Sequence, residues 1–303
     1  MIPFVTKMAF DYGRAQQVSP LIRRLIARNP GPFTYTGTGA HIVGRGQVAV
    51  IDPGPDLPSH LDAILEATEG ETISHIFVTH SHLDHSPLAR PLAERTGAVI
   101  YAGGEAGRAS GGDDRLEAGD DLDFRPDVAL IDRRRFHGPG WTIEAVATPG
   151  HTANHYAFAL EEENALFPGD CVMGWSTSVI SPPDGDMGEY LDSLDKIRRR
   201  RFSTLWPAHG PAIREAGPFL AAYIGHRLVR EHQILNALEA FGPATVRRLV
   251  AVLYADVDRR LHPAACHTVL AHLIQLAREG RVESVGLPTI GAVYRPVRLR
   301  RAA

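Results

Sequence analysis

Three imidazoles and a carboxylate fall within six residues in Thr79-His80-Ser81-His82-Leu83-Asp84-His85. Imidazole nitrogen and carboxylate oxygen are the donors that Zn²⁺ and related first-row ions accept. The run directly follows residues 73–78, a β-branched stretch that predicts a buried strand, and a turn beyond a strand can direct alternate side chains into one cavity. Three more residues of the same kind stand in glycine-bearing turns: His151 in Thr148-Pro-Gly-His-Thr, Asp170 in Phe167-Pro-Gly-Asp, and His209 in Pro207-Ala-His-Gly. Five histidines and two aspartates exceed what one tetrahedral ion can use. Two ions sharing one carboxylate can use all seven and keep room for a common water or hydroxide, so the predicted chemistry is hydrolysis at a dinuclear centre.

Short strands and helices must position these residues. Residues 36–43 and 46–51 read as two strands joined by a tight turn near Gly44-Arg45-Gly46, and Asp52-Pro-Gly-Pro stops the second. Helical apolar spacing marks 59–68 and 87–95, with a further strand at 98–102. A polar, glycine-rich excursion follows at 103–119. Strands resume at 141–147, 156–160 and 165–167, an amphipathic helix is predicted over 187–199, and a short strand at 204–206 leads into His209. The chain then changes character. Helical stretches at about 223–241, 243–255 and 263–279 precede 281–296, which alternates like a hairpin around Gly286-Leu-Pro and Gly291, and three helices with a hairpin describe a winged helix. The expected division is a catalytic domain over 1–222 and a winged-helix domain over 223–303.

With 303 residues, 44% of them hydrophobic and 22% charged, the chain can bury one large core or two smaller ones, which excludes disordered and fibrous classes. Two cysteines, Cys171 and Cys266, cannot build a disulfide framework or a multi-cysteine metal site. No window approaches the roughly 18 uncharged apolar residues of a spanning helix, and no export signal is read at the start, so a cytoplasmic protein without a membrane partner is expected. The net charge of −3 hides a division: the segment from His226 onward holds 12 Arg, no Lys and 6 acidic residues, against 20 basic and 29 acidic before it. Such asymmetry is compatible with an anionic partner for the tail or with a solvated arginine-rich surface.

The ordered set His-x-His-x-Asp-His, distant His, Asp and final His resembles the signature of the metallo-β-lactamase superfamily, over about residues 35–215. The resemblance implies an α/β fold, an αββα sandwich with metals at one edge of its two sheets. Carried over by position, it implies that His80, His82 and His151 hold one metal, that Asp84, His85 and His209 hold the other, and that Asp170 bridges them. Asp52 matches the acid that orients a histidine ligand from behind. An aspartate at 170 is closer to glyoxalase II and the RNA-cleaving branches than to zinc β-lactamases with a cysteine there; Cys171 stands one residue late. Asn29-Pro-Gly-Pro-Phe-Thr-Tyr-Thr-Gly-Thr-Gly, Ser181-Pro-Pro-Asp-Gly-Asp-Met-Gly-Glu-Tyr and the winged-helix tail are similar to the lactamase-beta-2-like subgroup, which includes a mitochondrial endoribonuclease.

The expected cofactor is a pair of divalent ions, Zn first, with Mn or Fe as alternatives. The expected mechanism is attack by a metal-bridging hydroxide, with Asp84 as a catalytic residue assisting proton transfer as well as binding metal. Three functions compete: hydrolysis of a small-molecule ester, thioester or lactone, which is preferred; cleavage of single-stranded RNA; and nucleic-acid binding by the winged helix with a secondary metal site. A homodimer through the C-terminal domain is a further expectation. Among other residues, Ser176, Thr177 and Ser178 are candidates for the pocket wall, Tyr190 for a substrate hydroxyl contact, and Arg247, Arg248, Arg259 and Arg260 for phosphate contacts. His155 is expected to pack behind the site, His60, His75 and His137 to be incidental, and Arg133-Arg134-Arg135 to be a solvated turn.

Overall fold

The structure is a computed structural model that describes residues 2–105 and 119–297. Most of the excursion expected at 103–119 lies outside the described residues. Among the described residues the first sheet runs in chain order through β1 (Gln16–Gln17), β2 (Ile22–Ile26), β3 (Gly39–Arg45), β4 (Gln47–Ile51), β5 (Thr72–Phe77), β6 (Val99–Ala102) and β7 (Val128–Ala129). The second sheet contains β8 (Arg135–Gly138), β9 (Trp141–Ala147), β10 (Tyr156–Leu160), β11 (Ala165–Phe167) and β12 (Thr204–Leu205), in the spatial order β12-β11-β10-β9-β8. Helices α1 (Pro58–Ala67) and α2 (Ala89–Thr96) cover the outer face of the first sheet, and α3 (Met187–Arg200) with the start of α4 (Ala216–Phe241) covers the second. This is the αββα sandwich the sequence implied.

Period-two alternation divides the strands between layers. On β4, Val48 and Val50 face the helices while Ala49 and Ile51 face the opposite sheet. On β10, Ala157 and Ala159 meet α3 and α4, whereas Phe158 and Leu160 join Phe77, Trp141, Ile143 and Phe167 between the sheets. Sequence reading missed β2 because Ile22-Arg-Arg-Leu-Ile carries two adjacent charges. Arg23 is paired with Glu71 at 2.6 Å and caps the Ala67 carbonyl, so the strand enters the sheet with its charge answered at the rim. The Arg133-Arg134-Arg135 cluster is the expected solvent-exposed turn, with Arg134 5.0 Å from the Phe136 ring and Arg135 opening β8 with an ion pair to Glu161 at 3.0 Å.

The tail forms α5 (Val246–Leu253) and α6 (His262–Arg278), with β14 (Val282–Val285) and β15 (Val293–Pro296) as the wing and β13 (Ala244–Thr245) on β15. The helix expected at 223–241 starts instead at Ala216 and passes through 222 without a break. Its first turns serve the sandwich through Phe219, Leu220 and Tyr223, and its last turns serve the winged helix through Ile234, Ala237 and Leu238. The division at 222 therefore stands as a proposal about which core residues serve, with one helix spanning it.

Burial leaves several histidines uncharged. His41 on β3 packs with ring centroids 5.0 Å from Phe167 and 6.5 Å from Trp206, and burial, helped by the Arg24 charge, pulls it down to about 3 from its usual 6.5. The unfolded chain then takes up a proton that the folded chain refuses, so stability present above pH 6.5 is lost as pH falls toward that depressed value. The His41→Leu protein should lose stability less steeply between about pH 6 and 4, by about 1.4 kcal/mol per pH unit. Urea unfolding at both pH values measures this, and an unchanged slope would refute the assignment.

Candidate metal centre

The chain brings the seven sequence-selected residues to one end of the sandwich by ending strands there. His80, His82, Asp84 and His85 follow β5, His151 follows β9, Asp170 follows β11, and His209 follows β12. Two glycines make the tight approaches possible. Gly150 has φ +128°, and a Cβ there would sit 2.3 Å from the Tyr190 nitrogen; Gly169 has φ +51°, and a Cβ would sit 2.8 Å from His155 Nε2. Both conformations and both gaps exclude a side chain, and each glycine immediately precedes a candidate ligand.

All seven side chains are buried. Three overlapping groups bring their ligand atoms within 4.8 Å of one another: His80, His82 and His151; His80, His85 and Asp170; and Asp84, His85 and His209. His80 Nε2 lies 3.0 Å from His82 Nδ1, and Asp84 Oδ2 lies 3.1 Å from His209 Nε2 and 3.3 Å from His85 Nε2. Donors about 2.05 Å from a tetrahedral ion stand about 3.3 Å apart, so these separations suit shared coordination. Asp170 lies between the clusters: Oδ1 is 3.3 Å from His209 Nε2 and 3.6 Å from His85 Nε2, while Oδ2 is 4.0 Å from His151 Nε2.

A surrounding layer fixes the orientations. Asp52 accepts from the Thr79 amide at 2.7 Å, from the Thr79 hydroxyl at 2.9 Å, and pairs with His85 Nδ1 at 3.1 Å, which points His85 Nε2 into the cluster. The Val179 carbonyl accepts from His151 Nδ1 at 2.8 Å. His155 makes no approach as a ligand; it meets the Thr148 hydroxyl through Nδ1 at 2.8 Å and accepts from the Asp170 amide through Nε2 at 3.3 Å. Sequence reading missed Thr38, whose hydroxyl donates to Asp84 Oδ2 at 3.2 Å and is held by Asn29. The motif beginning at Asn29 thus presents Thr38 to the site, a role its composition did not announce. Asp120, 3.6 Å from His82 Nε2, was missed because nothing near it in sequence bears ligands.

Electrostatics favours a cation here. Burial pulls Asp84 and Asp170 upward, yet the adjacent His85 and His209 overcome it and hold both carboxyls well below their usual range. Burial pulls His85 and His209 downward, and the carboxylates reverse it, His209 reaching about 10. His82 is driven to about 3 by burial and then by His151. Among the described residues no Lys or Arg pairs with Asp84 or Asp170, and the buried His85 Nε2 and Asp170 Oδ1 make no hydrogen bond. Ionised carboxylates that hold protons on the His85 and His209 rings beside them fit divalent ions, which would take the place of those protons, and the unsatisfied His85 Nε2 and Asp170 Oδ1 are free to ligate them.

The other candidates fall elsewhere. Ser176, Thr177 and Ser178 do line a cavity, described below. Tyr190 does not face a substrate: it is fully buried and donates to the Cys171 carbonyl at 2.8 Å. His60 is buried under Gly54, His75 packs among aromatic rings, and His137 is exposed on β8. The helix in the recognition position, α6, has only Pro263 and Arg278 exposed among its 17 residues. It is docked on the 181–190 motif through Ser181 and His267 at 2.8 Å and through an ion pair of Arg278 with Asp186. Arg247, Arg248, Arg259 and Arg260 are exposed, and Arg260 is paired with Asp258.

Residues 40–209 match the family described as the Metallo-beta-lactamase superfamily, and residues 245–289 match the Beta-lactamase associated winged helix domain. A Drosophila melanogaster protein named Beta-lactamase-like protein 2 homolog is 31% identical over 294 residues, covering 93% of each chain. An Emericella nidulans protein named atrochrysone carboxyl ACP thioesterase is 31% identical over 277 residues, 88% of this chain and 81% of its own. A beta-lactamase domain protein from Burkholderia ambifaria superposes with a TM-score of 0.78 over 98% of this chain and 97% of its own, at 20% identity, a likeness of fold.

Removing the charge that steadies His85 should loosen metal binding without disturbing the sandwich. Asp52→Asn is expected to weaken affinity for divalent metal roughly 10- to 100-fold, measured by competition with a chromophoric chelator. Affinity equal to the wild type would show that Asp52 does not orient a ligand.

Proposed function

This chain belongs to the metallo-beta-lactamase superfamily, and on that premise we propose that it is a dinuclear hydrolase of small-molecule thioesters. The observation that carries the reading is the Asp170 carboxylate, one oxygen directed at His85 and His209 and the other at His151. His80, His82 and His151 would hold one ion, and Asp84, His85 and His209 the other, with Asp170 shared. Zn is the first choice for nitrogen and oxygen donors, with Mn or Fe as alternatives. When bound, such ions supply Lewis-acid activation of water and of a carbonyl.

The chain's own residues do the rest. Asp84, kept ionised and steadied by Thr38, is the group that takes a proton from the attacking water and returns it to the departing sulfur as the acyl carbon–sulfur bond breaks. Asp52, His155 and the Val179 carbonyl keep the ligands from rotating. Burial of all seven residues keeps their ligand atoms largely out of bulk water. The thioester class is supported by the relative named a thioesterase. The nucleic-acid readings draw no support from α6, whose surface is spent on the sandwich and on its own small core.

Metal analysis of the purified protein should find about two divalent ions per chain. A generic thioester should be hydrolysed in preference to a bis-aryl phosphodiester and to single-stranded RNA, with little dependence on salt. His82→Ala should lower that turnover at least roughly 100-fold, the several kcal/mol a Lewis acid contributes. One ion per chain would defeat the dinuclear reading, and salt-sensitive RNA cleavage without thioester turnover would defeat the substrate class.

A further inference from the structure

A cavity of about 300 Å³ lies where the sandwich meets the winged helix, at the lower end of the range for small-ligand sites. One wall is the loop 173–179 that follows Asp170, and the opposite wall comes from α4, Tyr254 and α6. The loop also touches the metal centre from behind, since the Val179 carbonyl orients His151 and the Gly174 amide donates to the His209 carbonyl at 3.4 Å. Phe33, Met173, Trp175 and Leu261 make most of the lining apolar, but Arg227 and Arg230 stand in it too. Among the described lining residues there is no carboxylate, and neither arginine has an acidic partner.

That combination is unusual in charge. Arg227 is 2% exposed, donates to the Ser178 carbonyl at 2.5 Å and lies 5.1 Å over the Tyr190 ring and 6.0 Å over the Tyr223 ring, contacts that support its charge without neutralising it. Arg230 gives one hydrogen bond to the Leu253 carbonyl at 3.0 Å and lies 4.0 Å over the Tyr254 ring. The Nε atoms of both arginines and the indole nitrogen of Trp175 are buried without a hydrogen bond among the described residues. His226, in the same wall, is lowered to about 4 by burial and then by the two arginines, so it adds no balancing or competing charge at neutral pH. A buried guanidinium without a carboxylate is costly, and the ligand that offsets the cost is an anion with an apolar body.

We propose that this cavity binds an apolar carboxylic acid, its carboxylate on Arg227 and Arg230 and its body against Phe33, Met173 and Trp175. A carboxylic acid is what thioester hydrolysis releases, apolar when its acyl group is, a connection that rests on the hydrolase reading above. The site itself rests only on the cavity and on two arginines that no carboxylate among the described residues pairs with. A neutral thioester gains nothing from the two guanidiniums, so the cavity distinguishes product from substrate by charge.

The test titrates 4-phenylbutyrate and its neutral amide, 4-phenylbutyramide, into the metal-loaded full chain by calorimetry, with Arg230→Gln and Val257→Trp alongside. Arg230 is half-buried and Val257 lies at the exposed mouth, so both variants should fold. The acid should bind at least roughly 10-fold tighter than the amide, Arg230→Gln should erase that preference, and Val257→Trp should weaken both compounds. Equal affinity of acid and amide would overturn the proposal, as would acid binding unchanged in both variants, which would place the carboxylate on the metals. Lack of thioester turnover by the wild type would sink the hydrolase reading while leaving this titration decisive for the cavity.

Discussion

Asp170 keeps an ionised carboxylate buried between two clusters of imidazoles, and much of the fold is organised around making that tolerable. A buried anion is stable only where positive charge or several donors answer it. Here the answer comes from strand ends that converge on one edge of two sheets, and the convergence needs glycines at 150 and 169 because no side chain fits those turns. The inter-sheet core of Phe77, Trp141, Phe158 and Phe167 holds the strands in register, so the ligand spacing is set by aliphatic and aromatic packing some distance from the chemistry.

The outer layer shows how few residues are needed to fix an imidazole. Asp52 engages both Thr79 and His85, so one carboxylate steadies the beginning and the end of the histidine-rich turn. Thr38 does the same for Asp84 from a separate loop, and His155 reaches the Asp170 backbone rather than its side chain. Each contact leaves one ring nitrogen or carboxylate oxygen directed inward, which is the property a ligand requires.

The seven central residues were legible in the sequence because ligand types recurred in strand-ending turns, and the structure gathers them within a few ångströms. Their supports were much harder to read. Thr38 and Asp120 are remote in sequence from the residues they touch, and hydroxyls and lone aspartates have too many ordinary uses to stand out. Strand β2 was hidden by Arg23 and Arg24, which find their partners only in three dimensions, Arg23 an ion pair with Glu71 and Arg24 a hydrogen bond to Gln16. Tyr190, a candidate for substrate contact, turns its hydroxyl to a backbone carbonyl instead, which its place in sequence near the ligands does not reveal. Periodicity marked most of the strands and helices and the resemblance of the ligand motifs implied their arrangement as a sandwich, whereas neither marked the start of α4 at Ala216.

Helix α4 belongs to two hydrophobic cores at once, with Phe219 and Tyr223 in one and Ile234 and Leu238 in the other. One continuous helix thus ties the two cores together. What looks in sequence like an appended module is placed as a buttress, standing behind the loop that carries the Val179 carbonyl to His151 and meeting it through the Thr268 hydroxyl.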